Sequence, residues 1–348
     1  MQLKFPNALA KGQPGIMHQY GDGLVAFEYT RGNRRKPHSL LFIGGLGDGL
    51  CTVEYVADLV AALQDTEWSI FSLILSSSYN GWGVGRLGKD IDEMAQCIQY
   101  VRDYKKQLFG PGKVVIMGHS TGSQDVMHYI SCPNPRPRNL LDREIEPLLR
   151  TPVDGAIMQA SVSDREGILW VLKAGTERDS PETMREIYRK AVEDAKKRTY
   201  EDDDTVDTIV PLSVTARIGY PSTTAISSRR FLSLTSPDSP KKPDEDDLFS
   251  SDLSDEQLQR TFGVIGPRGL LKSKLMALYS GRDQSVPPWV DKEALLKRWS
   301  TAAGQFWHPK SMVIPGASHA LSDCGQVEPR RILVQRVTGY LDELEKQA

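Results

Sequence analysis

Hydrophobic and polar positions along residues 1–162 switch between two periods. Short apolar runs, several rich in β-branched residues, recur at 24–29, 39–43, 68–75, 113–117 and 155–160. Each has strand length and is set off by polar or glycine-containing segments. Between the third and fourth runs, residues 86–108 carry Leu87, Ile91, Met94, Ala95, Ile98 and Val101 at helical spacing. Gly110-Pro111-Gly112 stops that helix. Strands alternating with helices predict crossover connections and a mostly parallel sheet flanked by helices.

The texture changes near Asp164. Ser180-Pro181-Glu182 is a helix start, with a capping serine and proline at the first helical position. Met184, Ile187, Tyr188 and Ala191 give the helix an apolar stripe, and the acidic run Glu201-Asp202-Asp203-Asp204 ends it. Residues 235–247 are rich in Pro, Ser, Lys and Asp, which predicts an exposed, flexible loop. Ser254-Asp255-Glu256-Gln257 is a capping-box pattern. Strand texture returns at 274–279 and 311–314, and a helix over 330–344 closes the chain. The organisation predicted is a core of residues 1–163 and 271–348 with a helical cap inserted at 164–270.

Composition narrows the function classes. The chain has 348 residues, 39% hydrophobic, enough for a sizeable core. Lys and Arg number 43 against 45 Asp and Glu, for a net charge of -2. That balance argues against nucleic acid as a partner. The four cysteines, Cys51, Cys97, Cys132 and Cys324, are scattered and form no metal-ligand spacing or disulfide framework. No run reaches the ~20 apolar residues needed to span a bilayer. The first residues lack the apolar core of a signal peptide, so the expected compartment is the cytoplasm.

The chemistry centres on Gly118-His119-Ser120-Thr121-Gly122, which follows the strand at 113–117 and precedes a helix-compatible stretch. G-x-S-x-G in that setting resembles the nucleophile elbow of α/β-hydrolases. The turn projects the Ser120 hydroxyl from the sheet, and the helix N-terminus behind it favours a developing oxyanion. A serine hydroxyl needs a base. His18 and His38 precede the nucleophile, which is the wrong order for that fold. His119 lies within the elbow, pointing away from the serine's direction, and His128 lies about two helical turns beyond it. His308 precedes its strand and is expected at the opposite edge of the sheet. His319 follows its strand on a small-residue loop and is the expected base. Asp283, just past the strand at 274–279, is the expected acid, with Asp164 as the alternative. The order Ser120, Asp283, His319 is that of the fold.

The second amide of an oxyanion hole belongs in the loop after an early strand, here Gly44-Gly45-Leu46-Gly47-Asp48-Gly49. Leu46 N–H and Thr121 N–H are the expected donors. The loop 76–82 also follows a strand on the active-site side, making Tyr79 and Trp82 candidate substrate contacts. Trp170, Tyr220 and Phe231 are candidate pocket walls, with apolar core as the plainer reading. No metal or organic cofactor is required by this constellation.

More narrowly, FIGGLGDGL, SSSYNGWGVGRLGKDI, VVIMGHSTGSQDVMHYI and YSGRDQSVP resemble a family of fungal and plant α/β-hydrolases whose fungal members include an intracellular siderophore ester hydrolase. The resemblance implies Ser120, Asp283 and His319 as the triad. It implies a small-molecule ester substrate, with fusarinine-type hydroxamate siderophores as the specific expectation. The chain departs from the superfamily in one place. The His-Gly that often opens the oxyanion loop is Gly44-Gly45 here, so the loop lacks that bracing side chain. An acyltransferase or peptidase could run on the same triad. A non-catalytic hydrolase-fold scaffold is the alternative from another class.

Overall fold

The hairpin β1 (Gly15–Gly21) and β2 (Leu24–Tyr29) opens the described chain, followed by β3 (His38–Ile43), α1 (Tyr55–Ala62) and β4 (Trp68–Ile74). Next come α2 (Leu87–Phe109), β5 (Val114–His119), α3 (Gly122–Ser131) and β6 (Gly155–Gln159). A mainly helical stretch follows: α4 (Asp164–Ala174), α5 (Pro181–Tyr200), β7 (Ile209–Val210), α6 (Leu212–Ile218), β8 (Ile226–Ser227) and α7 (Ser228–Thr235). The chain ends with α8 (Asp255–Thr261), α9 (Ile265–Arg268), β9 (Leu275–Ser280), α10 (Lys292–Ala303), β10 (Met312–Ile314) and α11 (Val327–Glu345). This computed structural model describes residues 12–30, 35–137, 148–200 and 207–347. The acidic run at 201–204 and the first eleven residues lie outside the described residues.

Among the described residues one sheet has eight strands, ordered β1-β2-β4-β3-β5-β6-β9-β10. From β4 to β10 every neighbouring pair is parallel; β1 and β2 add antiparallel strands at one edge. The parallel strands are apolar on both faces, as a doubly covered sheet requires. Period-two alternation divides them between two clusters. Leu41, Ile43, Val114, Ile116, Leu275 and Ala277 pack toward α2, α3, α8 and α10. Leu40, Phe42, Val115, Met117, Met276 and Leu278 pack toward α1 and α11. Because six strands are parallel, their carboxyl ends share one edge of the sheet. The loops leaving β3, β5, β6, β9 and β10 therefore converge there.

Local signals explain several boundaries. Gly110 ends α2 at φ 86°, a conformation open to glycine. Ser163 caps α4 by accepting the Glu166 N–H. Ser254 and Gln257 form the capping box of α8 expected from the sequence. Other elements were not read from the sequence. In β1 the apolar Ile16 and Met17 are exposed and His18 is buried, so an edge strand shows no usable alternation. Helix α10 did carry a signal, with Leu295, Leu296, Trp299 and Ala303 on one face behind the capping Asp291.

The mainly helical stretch has its own apolar cluster, built from Trp82, Ile168, Leu172, Met184, Ile218 and Phe231 among others. Sequence texture places residues 164–270 in one insert. Leu248, Phe249, Leu258, Phe262 and Ile265 instead pack in the cluster under the sheet. The segment 235–247 is exposed through its middle, yet both ends are buried. Asp246 is bound by both oxygens to Arg230 (2.7 and 2.6 Å), which ties the segment down.

Candidate active site

Strand β5 runs straight into the turn that carries Ser120. Ser120 sits at φ 54°, a left-handed conformation that ordinary residues avoid. Its neighbours explain how the turn is held. A Cβ on Gly118 would lie 2.0 Å from the Gly122 carbonyl oxygen, and one on Gly122 would lie 2.4 Å from that of Ile43. A Cβ on Gly45 would come within 2.6 Å of Ser120 Cβ. Three backbones meet at the elbow, and only glycines let them approach. Ser120 N–H donates to the Gln159 carbonyl at 2.9 Å, fixing the turn to β6.

The structure brings together Ser120, His319 and Asp283. Ser120 Oγ lies 2.9 Å from His319 Nε2, and His319 Nδ1 lies 2.8 Å from Asp283 Oδ2. Asp283 Oδ1 accepts the Ser285 N–H at 2.9 Å, so both carboxylate oxygens are engaged. Burial alone would push the His319 imidazole down. The hydrogen bond and charge of Asp283 outweigh it and hold the imidazole above its usual value. Gln284 Oε1 accepts the His319 backbone N–H at 3.0 Å and sets the loop. Asp164, the alternative acid, is bonded instead to Gln124 Nε2 (3.1 Å), and burial lifts its carboxyl to about 6.

The other histidines are engaged elsewhere. His308 sits at the amino end of β9, bonded to Glu343 of α11 at 3.0 Å. His18 pairs with Glu28 and Tyr100, and His38 Nδ1 accepts the Lys113 N–H. His128 contacts Cys132 Sγ and the Glu245 carbonyl. His119 is buried beneath the site, its ring centroid 5.1 Å from that of His319. Burial and the neighbouring His319 lower its pKa to about 4, so this ring stays neutral.

Gln159 is a site residue that sequence reasoning missed. Its Oε1 faces Tyr55 Oη (3.1 Å) and His119 Nδ1 (2.5 Å). Its Nε2 donates to Ser280 Oγ (3.0 Å) and the His319 carbonyl (3.4 Å). With its own carbonyl holding Ser120, this one fully buried side chain links elbow, histidine loop and β9. The available signal was a glutamine ending an otherwise apolar strand.

The loop after β3 lies against Ser120. Leu46 N–H and Thr121 N–H donate no hydrogen bond among the described residues. The brace expected to be missing is supplied from within the loop: Asp48 Oδ2 accepts the Gly45 N–H (2.8 Å) and Oδ1 takes the Thr52 hydroxyl (2.9 Å). Tyr79 completes it. Its N–H donates to the Asp48 carbonyl, its Oη accepts the Leu50 N–H at 2.9 Å, and its ring covers Gly49.

A cavity of about 400 Å³ opens over Ser120 and His319, lined also by Leu46, Asp164, Trp170 and Tyr220. Neither Tyr79 nor Trp82 lines this cavity: Tyr79 packs on the loop after β3, and Trp82 is buried against Tyr220. Of the candidate walls, Trp170 and Tyr220 face the cavity, whereas Phe231 is core. Among the described residues no cluster of His, Cys, Asp and Glu is arranged to hold a metal ion. No described helix is long and apolar enough to cross a membrane.

Comparison with known proteins agrees with the architecture. A family model described as "Protein of unknown function (DUF1749)" matches residues 7–342. Esterase AN6793 from Emericella nidulans is 56% identical, over 98% of this chain and 95% of that protein. Fusarinine C esterase sidJ from Aspergillus fumigatus is 54% identical, over 96% and 97% of the two chains. The solved structure of siderophore hydrolase EstB from Aspergillus fumigatus superposes with a TM-score of 0.86 at 53% identity. It covers 97% of this chain and 99% of its own.

Proposed function

This chain belongs to the DUF1749 family of α/β-hydrolase fold, and we propose that it is a serine carboxylic-ester hydrolase that opens fusarinine-type siderophore esters. The observation that carries the chemistry is the unbroken chain of contacts from Ser120 Oγ through His319 to Asp283, at 2.9 and 2.8 Å. The substrate rests on the 54% identity to a protein named as a fusarinine C esterase.

In the proposed cycle His319 Nε2 takes the Ser120 proton as Oγ attacks the ester carbonyl. Asp283 keeps the Nδ1 proton in place and stabilises the imidazolium that forms. Leu46 and Thr121 N–H groups receive the oxyanion; unused in the resting site, they can turn to it without breaking another bond. His319 then gives its proton to the leaving alcohol, and an acyl-serine remains. Water, deprotonated by the same imidazole, releases the acid. The helical insert serves as the cap, with Trp170 and Tyr220 shaping the pocket. The ferric ion of a loaded siderophore is cargo of the substrate. We place the protein in the cytoplasm, where its four free cysteines stay reduced.

The test has two steps. A fluorophosphonate probe is expected to label the protein and to leave Ser120→Ala unlabelled. Esterase activity of that variant should fall by about 10⁴-fold or more. Iron-bound and iron-free fusarinine C are then incubated with the protein and the products read by mass. Good turnover of simple esters with an intact trilactone would remove the siderophore substrate. A folded protein that never labels would remove the serine mechanism.

A further inference from the structure

Most of the cavity wall is apolar, with Val162, Ile168, Val171 and Ile218 facing it. Set among them is a carboxylate that the triad does not use. Asp164 lines the same cavity as Ser120 and His319, and no lysine or arginine among the described residues lines it. The imidazole feels the Asp164 charge. Position explains part of this: Asp164 begins α4, where a helix N-terminus favours an anion. It does not explain why an acidic residue lines the catalytic cavity.

The hydrogen-bond inventory around Asp164 is one-sided. Oδ2 accepts from Gln124 Nε2, and Oδ1 makes no hydrogen bond among the described residues. Oε1 of that same Gln124 amide is buried without a partner, and so is Tyr220 Oη. Tyr220 and Asp164 line the same cavity, and burial and then the Asp164 charge hold the Tyr220 hydroxyl above its usual range. The Arg230 guanidinium also acts on Asp164, but its N–H groups are held by Asp246 and the Trp82 carbonyl. Two buried polar atoms without a partner, Gln124 Oε1 and the Tyr220 hydroxyl, thus belong to a residue that bonds Asp164 and to one that shares its cavity. Native structures seldom leave buried polar atoms in that state, so each needs an explanation.

An ammonium group carries three N–H donors and no acceptor. It would meet the carboxylate in a charge-assisted bond and use the free acceptors beside it. We infer that Asp164 is the docking point for a protonated amine of the substrate, so that the enzyme prefers esters bearing an ammonium group near the scissile carbonyl. The inference rests on the ester-hydrolase reading above.

Matched ester pairs test it, each pair differing only in an ammonium replaced by methyl. The amine is placed on the acyl chain at its α or γ carbon, or on the alcohol. The ratio of kcat/KM within each pair is measured for the wild-type chain, Asp164→Asn and Asp164→Glu. Wild type should favour the ammonium member of at least one pair by roughly 10- to 100-fold. Asp164→Asn should bring that ratio toward one, chiefly through KM, and Asp164→Glu should recover part of it. No preference in any pair overturns the inference. So does an Asp164→Asn variant that slows both members equally, because Asp164 would then act through His319. In either case hydrolysis of the methyl member, lost in Ser120→Ala, leaves the esterase reading standing. Hydrolysis of neither member by wild type overturns both.

Discussion

Ser120 is held in a conformation that its own side chain disfavours, with φ at 54°. The strain is stored where the chemistry is, and three glycine contacts make it sustainable. His319 can act as base only when neutral, and Asp283 raises its pKa above the ordinary value of 6.5 against the pull of burial. The kcat/KM of the free enzyme should therefore rise with pH through a pKa above 6.5. In Asp283→Asn the raising influence is gone and burial remains. The acidic limb should move to lower pH while kcat falls by about 10⁴-fold. A pH profile on a simple fluorogenic ester reads both effects. An acidic limb that stays in place would remove Asp283 as the partner of His319.

At the scale of elements, the loop after β3 is a braced turn, not a glycine-rich hinge. Asp48 and Tyr79 together hold its backbone from inside and from the neighbouring 3-10 turn. Tyr79→Phe keeps the ring over Gly49 and loses one hydrogen bond, a change of about 1 kcal/mol. The expected result is a kcat lower by roughly fivefold with KM little changed, measured by steady-state kinetics. A raised KM at constant kcat would instead make Tyr79 a substrate contact, as the sequence suggested. Legibility varied among the elements for physical reasons. Strand β2 was legible at both ends, and so was the start of α8, because alternation and capping are local signals. Strand β1 was not, because an exposed edge strand needs no apolar face. Only the folded chain places Tyr79 on the loop after β3 and Trp82 against Tyr220, because strand-end loops of one sequence texture can face a ligand or fold back on the protein.

Over the whole molecule, two apolar clusters sandwich the sheet and a third organises the insert. One of several links between the insert and the rest runs through Arg230. Its Nε donates to the Trp82 carbonyl at 3.1 Å, and its Nη1 reaches both oxygens of Asp246. All of these side chains are buried. Arg230→Met would leave the Asp246 charge buried and unpaired, a loss of about 3–5 kcal/mol. Chemical denaturation should show that loss, and limited proteolysis should open residues 164–250 before the sheet. Adding Asp246→Leu should recover much of the stability, since an apolar pair can replace a buried ion pair. No recovery would mean that the Arg230 anchor acts through the Trp82 carbonyl.

The sequence by itself determined the alternation of strands and helices, the elbow around Ser120, and the order in which an acid and a base must follow. Those features are local or ordinal: periodicity, glycine spacing and position along the chain need no partner to be read. Only the tertiary structure shows that Asp283 lies within hydrogen-bond reach of His319 while Asp164 is bonded to Gln124, because such contacts join residues far apart in the chain. It alone revealed Gln159, whose contacts span residues far apart in the chain. It also packed Phe249, Leu258 and Phe262 into one apolar cluster with residues of the sheet. Packing against a distant surface leaves no period in the sequence, so contacts of that kind are settled only when the chain has folded.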